Sequence, residues 1–295
     1  MNKFKINNKI LVGVFLASVV AFSARVYFAK DYGEILRNGG VYTSDNSHIG
    51  NKKVVKDEEY SLDGIKNIYA NVAGKVEVSY SENDKARVVI YKNSKDKNNI
   101  KIEKESGKLN IVDEKKIKVI NIGFFEDMKT PIVKLYIPKK YANDIELKTR
   151  DGGIDYKDVK ANNLKLTSSA GKITGENIEA KNIDIKSSAG SIDIDGFKGK
   201  LTSDNSAGRT EIKCNELVGD INIDSSAGSV KLYIPEKSEF TLNAETTAGS
   251  IDNDFEEGMS EKSEAAHDSV TGKVGSGRYN IELDSSAGGI DIFKR

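Results

Sequence analysis

Apolar and polar residues alternate over much of the second half of this 295-residue chain. Ile183 and Ile185, and later Ile281 and Leu283, are each separated by a single polar residue. A period of two with β-branched residues predicts β-strands, because successive side chains of a strand point to opposite faces. The spacing typical of an amphipathic helix is missing there, so the pattern predicts an all-β domain.

A short phrase of two small polar residues, Ala and Gly follows these strands and recurs along the chain. The spacings between successive phrase glycines are 19, 18, 20, 21 and 39 residues, counted over Gly171, Gly190, Gly208, Gly228, Gly249 and Gly288. Arg150-Asp151-Gly152 is a weaker, earlier copy. A period near 20 residues is typical of a solenoid. The predicted fold is therefore a parallel, β-helix-like β-solenoid with coils of about 19–21 residues, and the interval of 39 predicts one degenerate repeat or an inserted loop.

The parity of the alternation predicts which residue of each phrase points inward. Counting by twos from Ile183 reaches Ser187, so the first residue of the phrase should lie on the buried face. The predicted inward polar ladder is Ser168, Ser187, Asn205, Ser225, Thr246 and Ser285. Buried polar groups need hydrogen-bond partners, and we expect the stacked neighbours to supply them.

The turn glycines are expected to provide a positive φ or a close approach of two backbones. They are Gly152, Gly171, Gly190, Gly208, Gly228, Gly249 and Gly288. No His or Lys base accompanies the phrase, and a catalytic residue does not need six copies. We therefore interpret the phrase as structural.

The first 30 residues have the pattern of an export or anchoring signal. Three lysines precede an apolar run that extends from Ile10 to Ala29, interrupted at Arg25. That length suits one uncleaved membrane-spanning helix with an extracytoplasmic C-terminal domain. The alternative is cleavage near Ala21-Phe22-Ser23, which would release a secreted protein.

The organisation predicted from these patterns has four parts. They are a signal or transmembrane anchor at 1–30, a polar stalk at 31–59, an irregular β N-terminal part at 60–145, and regular solenoid repeats at 146–295 with an inserted polar loop at 253–276.

Charge and composition exclude several classes of site. The chain has 45 basic and 45 acidic residues, and a balanced charge argues against a nucleic-acid-binding protein. Two His and one Cys, Cys214, argue against a His-ligated or Cys-ligated metal site and an intrachain disulfide. We expect no cofactor and no metal.

Outward-facing aspartates recur after the turns and are candidates for oxygen ligands of a divalent cation. They are Asp155, Asp193, Asp252 and Asp291. The equivalent residues of two other coils are Glu211 and Lys231, which favours a solvated face that opposes edge aggregation. Asp193 and Asp195 could form a glycosidase-like pair, but strand geometry alone brings them together, so we do not expect an enzyme.

The order of short motifs resembles the bacterial putative-adhesin domain family, whose β-solenoid domains are associated with cell envelopes. The motifs are Ala73-Gly74-Lys75-Val76, Ile137-Pro138, the Ser-Ser-Ala-Gly-Ser-Ile-Asp-Ile coil at 187–194, and Gly275-Ser276-Gly277. The resemblance extends from Tyr60 to Arg295. It implies a right-handed β-helix-like stack that is exported or membrane-tethered, and it implies no catalytic residues.

The function expected from the sequence is that of a non-enzymatic, membrane-tethered extracytoplasmic surface or interaction protein. Its expected partners are cell-wall material, a host surface or a membrane protein. Alternatives are a module that senses envelope stress or the cell wall for a partner membrane protein, and a polysaccharide-acting β-helix enzyme. Self-association through the solenoid ends is favoured if the last coil, at Ile290 to Phe293, has a free edge.

Overall fold

The computed structural model describes residues 51–94, 96, 99–114, 130–264 and 267–295. The elements assigned in this part of the chain are all β-strands, which agrees with the predicted all-β class. Within the same ranges, no helix is long and apolar enough to cross a bilayer. The predicted anchor and most of the predicted stalk lie outside the described residues.

Most strands have three to nine residues, as expected for coils of about 20 residues, whereas β11 and β12 have 15 and 16. They are β1 Lys53–Tyr60, β2 Asn67–Val72, β3 Lys75–Ser81, β4 Ala86–Lys92, β5 Ile100–Glu105, β6 Lys108–Asp113, β7 Ile132–Pro138, β8 Asp144–Thr149, β9 Ile154–Lys157, β10 Lys160–Ser168, β11 Ile173–Ser187, β12 Ile192–Ala207, β13 Thr210–Lys213, β14 Ile221–Ala227, β15 Val230–Ile234, β16 Phe240–Thr246, β17 Ile251–Asn253, β18 Met259–Glu264, β19 His267–Val274, β20 Tyr279–Ser285 and β21 Ile290–Lys294.

The strands pair in two rows, which we call row A and row B. Row A contains the strands that precede each phrase, in the order β5-β6-β2-β8-β10-β11-β12-β14-β20-β16-β19-β18. Row B contains those that follow it, in the order β1-β4-β7-β3-β9-β11-β12-β13-β15-β21-β17. The long strands β11 and β12 begin in row B and end in row A, so they turn a corner between the rows. Pairing is parallel along the middle of both rows, antiparallel at both ends of row A and at the β1 end of row B, and parallel at the β17 end of row B.

Two coils lie out of sequence order. The coil of β2 and β3 lies between that of β6 and β7 and that of β8 and β9. The last coil, β20 and β21, lies between β14–β15 and β16–β17. The 39-residue interval between Gly249 and Gly288 contains the strands β18 and β19, which lie between β17 and β20 in the chain. Strand β21 pairs on both sides, so the condition under which the sequence favours self-association, a free edge at Ile290 to Phe293, is not met in this structure.

Three segments differ from the sequence prediction. The predicted loop at 253–276 contains the antiparallel hairpin of β18 and β19, and β19 also pairs with β16. Both strands are rich in polar residues because the hairpin is largely exposed, so they lack an apolar alternation. The end of the predicted stalk, from Lys53 onward, is strand β1. The region at 60–145 contains coils of the same stack, of which β2 and β3 make one.

The interior is filled by stacked aliphatic side chains. Ile154, Ile173 and Ile192 lie in register in adjacent strands and are fully buried. The coil that follows has Thr210 at the equivalent place, and it also buries Ser203 and Asn205. Cys214 is buried as well, and burial raises the pKa of its thiol to about 11.

Candidate functional site

The turn glycines form a column in which successive coils touch through their backbones. A Cβ added to Gly171 would lie 2.2 Å from the carbonyl oxygen of Gly152, and one added to Gly190 would lie 2.3 Å from that of Gly171. Gly74 continues the column beyond Gly152. Close approach is the shared requirement, whereas a positive φ occurs only at some members, such as Gly228 at 152°.

The structure places the predicted polar ladder inside, beside this column. Ser168, Ser187, Asn205, Ser225, Thr246 and Ser285 are all 5% exposed or less. Thr149, which sequence reasoning missed, extends the ladder in register with Ser168. Its side-chain partners are mostly glycine carbonyls: the Ser187 hydroxyl donates to Gly190 O at 3.3 Å and that of Thr246 to Gly288 O at 2.9 Å. The ladder therefore holds the turns closed, which is a structural role.

A second column of turn residues marks the corner between the rows. Asp158 and Asn177 have left-handed backbones, with φ of 55° and 50°, and Gly196 follows at 88°. The Asn177 amide donates to Asp158 Oδ1 at 2.8 Å, one coil away. Sequence reasoning missed this column, although Asp, Asn and Gly at 19-residue intervals are the residues that tolerate this backbone.

A groove of about 820 Å³ lies on the side of row B that ends at this corner. It crosses four strands, β9, β11, β12 and β13, and its lining residues are Asp155, Tyr156, Lys157, Thr174, Gly175, Glu176, Asn177, Asp193, Ile194, Asp195, Arg209, Glu211 and Lys213. Strand alternation explains this surface, because the inward Ile residues leave the charged residues between them to face solvent.

Ion pairs that join neighbouring coils neutralise the groove. Asp193 lies 2.6 Å from Lys172 Nζ and 3.1 Å from the Arg209 guanidinium. Asp195 lies 3.3 Å from Lys213 Nζ. These two carboxylates thus contact different cations.

The other recurring aspartates are not gathered into a cation site. Asp155 pairs with Lys75 at 2.5 Å, and Asp291 pairs with Lys231 at 2.9 Å. Burial disfavours the charge of Lys75, but Asp155 and Glu77 outweigh this effect and raise its pKa. Asp252 lies in register with Asp291. In the described ranges, no group of three or more His, Cys, Asp or Glu is placed to hold a metal ion.

An aromatic pair continues the same outer face beyond the groove. Tyr233 and Phe293 stack with ring centroids 4.8 Å apart, and Tyr233 lies in register with Lys213 of the groove. Lys213 and Lys231 lie over these rings at 5.9 and 5.6 Å. The charged side chains of the groove are therefore followed, on the same face, by a planar and half-buried apolar surface that the two aromatic rings form.

Row A carries a different surface, which we call the acidic ladder: Asp204, Asp224, Asp284 and Glu245. These carboxylates lie in register in four adjacent strands. Burial raises the pKa of Asp224, and its neighbour Asp204 raises it further. The pKa of Asp284 is raised in the same way, by burial and then by Asp224. Sequence reasoning missed this ladder because it depends on the out-of-order position of β20.

Comparison with known proteins identifies the architecture. The sequence model of the Toastrack DUF4097 family matches residues 65–293. No match was found among curated proteins.

Several solved structures are similar to this chain. A putative cell adhesion protein from Clostridium sporogenes has 16% identity and a TM-score of 0.41, covering 83% of this chain and all of that one. A putative adhesin from Bacteroides fragilis has 14% identity and a TM-score of 0.43, covering 81% of this chain and 97% of that one. A putative lipid binding protein from Parabacteroides distasonis has 13% identity and a TM-score of 0.36, covering 83% of this chain and 97% of that one.

Proposed function

The chain belongs to the Toastrack DUF4097 family, and we propose that it is a non-enzymatic, membrane-tethered surface protein that acts outside the cytoplasm as an interaction module. The observation that carries this proposal is the groove on row B, where charged side chains repeat from coil to coil. Four parallel strands at about 4.8 Å spacing give such a surface a span of roughly 14 Å. A surface of this kind suits an extended ligand held by several weak contacts.

The chemistry of the groove favours a polymer that offers both charged and hydrogen-bonding groups. Carboxylates and cations alternate across the coils, as at Asp193, Arg209 and Glu211, where the guanidinium contacts both acids. A glycan or peptide strand of the cell wall can exchange contacts with both kinds of group while its sugar or side-chain faces lie on the adjacent aromatic pair. Engagement of the carboxylates by cations supports binding rather than acid–base catalysis.

Location is tested by protease treatment of intact cells combined with membrane fractionation. If the chain is anchored by residues 1–30, external protease removes the folded part while a short N-terminal piece stays with the membrane. A full-length chain that resists the protease, or that fractionates with the cytoplasm, contradicts the proposal. Release of the intact folded part into the medium identifies the secreted alternative.

Binding is tested by co-sedimentation of the full-length protein with insoluble bacterial cell-wall material. Arg209→Glu places a third carboxylate between Asp193 and Glu211 and is expected to reduce the bound fraction severalfold. The matched control is Lys262→Glu, the same charge reversal on the exposed strand β18. Equal losses in both variants, or none in Arg209→Glu, would show that the groove is not the binding face.

A further inference from the structure

Strand β1 offers a free edge at one end of row B. It has eight residues and pairs with β4 on one side, and no described strand pairs with its other side. Unpaired strand edges are templates for pairing with another chain. The other edge strands are less suited. Strand β17 has three residues, β5 directs Ile100 and Ile102 toward the core, and β18 has no large exposed apolar side chain among its described residues.

The same strand carries exposed apolar surface. Val54 is 51% exposed and Val55 is 57% exposed, and in the described ranges the other large exposed apolar side chain is Tyr80, at 36%. The pairing of β1 with β4 shifts register between Val54 and Lys56. A bulge of this kind lets two consecutive side chains stay exposed, whereas a regular strand would point them to opposite faces.

We propose that β1 is a dimerisation strand, which pairs in antiparallel fashion with β1 of a second copy of this chain. The strand has a basic beginning, an apolar middle and an acidic end, because Lys52 and Lys53 precede the valines and Asp57, Glu58 and Glu59 follow Lys56. Antiparallel pairing of two such strands sets the basic part of each against the acidic part of the other. A dimer with two-fold symmetry is self-complementary in this way.

Symmetry selects the register of this pair. Along an antiparallel pair, residues that hydrogen-bond to the partner strand alternate with residues that do not, and two directly opposite residues are always of the same kind. In a pair with two-fold symmetry this requires one residue to lie directly opposite its own copy. With Val55 at the axis, Lys53 lies opposite Asp57, and Lys52 lies opposite Glu58. A shift that centres Lys56 sets this lysine against itself, and one that centres Val54 sets Lys52 against Lys56. Charge complementarity therefore favours the register centred on Val55.

The first test is cross-linking of full-length Val55→Cys. Directly opposite Cβ atoms lie about 4.5–5.5 Å apart, so mild oxidation or a short thiol cross-linker is expected to join two chains. Ser260→Cys, on the exposed edge of β18, is the matched control and should give only background dimer. The unmodified chain should give no covalently cross-linked dimer in this assay, because its own Cys214 is buried.

The second test is a charge exchange in the Val55→Cys background. Lys52→Glu and Glu58→Lys each turn two symmetry-related attractive pairs into repulsive ones, and each should weaken dimerisation about two- to thirtyfold. The double variant restores attraction and should return the cross-linked fraction to that of the Val55→Cys parent. A purely local role of either residue in folding would not be rescued in this way.

Two results would overturn the proposal. One is a Val55→Cys dimer fraction no higher than that of Ser260→Cys. The other is a failure of the double variant to recover what each single variant loses. If Val55→Cys is instead shielded from a thiol reagent without forming a dimer, another part of the same chain covers β1 and the dimer is wrong.

Discussion

Replacing Asp224 by Asn should stabilise the protein at neutral pH. Asp224 lies in register with Asp204 on one side and Asp284 on the other. Adjacent strands lie about 4.8 Å apart, and Coulomb's law in water gives about 0.9 kcal/mol for each like-charged pair at that distance. Like charges directly opposite in a sheet cost about 0.2–1 kcal/mol. After screening by salt, removal of both repulsions should add about 0.5–1.5 kcal/mol to the free energy of unfolding.

The pH dependence of this gain follows from the direction of the pKa shifts. Burial and neighbouring carboxylates raise the pKa of Asp224 and of Asp284 above the usual value in the folded state. The charges that face Asp224 are those of Asp204, Asp284, Glu282 and Lys186. The folded state therefore binds the protons of these two carboxyl groups more tightly than the unfolded chain does. The stabilisation that comes from protonation is complete below pH 3.8, the usual pKa, and is lost as the pH rises through the raised pKa of each group. The gain from Asp224→Asn should therefore be largest at pH 7 and should shrink on acidification.

The assay is urea unfolding of the full-length protein and its variants at pH 7 and near pH 4. The matched control is Asp220→Asn, at the residue directly before β14, the strand that contains Asp224. At this site the backbone N–H of Asn280 and the ammonium of Lys200 lower the pKa of the carboxyl group. This control should lose stability at pH 7, so the same chemical change acts in opposite directions at the two sites. The reasoning is refuted if Asp224→Asn destabilises the protein, or if its gain does not decrease at low pH.

Other substitutions and reagents test the two columns and the interior. Gly228→Ala would set a Cβ 1.9 Å from the carbonyl oxygen of Gly208 at a φ of 152°, and it should lower the unfolding free energy by about 2–4 kcal/mol, measured by urea titration. Ser187→Ala removes one hydroxyl hydrogen bond of 3.3 Å to Gly190 and should cost about 1 kcal/mol in the same titration; a neutral result would show that the ladder does not stabilise the turns. Cys214, with a thiol pKa of about 11, should react with a thiol reagent at pH 8 only as fast as the protein unfolds, and rapid labelling would contradict its burial.

The polar ladder and the glycine column were predictable because both follow from local alternation and a repeat of about 20 residues. Ser187 and Gly190, for example, occupy the places that a period of two and a stacked turn require. The order of the coils was not predictable, because the pairing of β20 with β14 joins residues about 60 positions apart without any local signal. The groove depends on the corner at Asp158 and Asn177, whose 19-residue spacing was visible in the sequence, whereas the acidic ladder depends on the inserted coil.

The insertion of a coil at each end has a mechanical consequence for a surface module. The strands nearest the two ends of the described chain, after β1, are β2 and β21, and each is paired on both sides. Repeat stacks ordinarily fray from terminal repeats, which have one neighbour. Apart from β1, the strands at the ends of the two rows are internal segments of the described chain, so fraying cannot begin by peeling off the C-terminal strand β21. A load applied through the N-terminal segment reaches β1 first, and β1 is held by β4 alone. Pairing of β1 with a second copy would give this strand a second neighbour, so in the proposed membrane-tethered protein dimerisation would strengthen the element that carries the load.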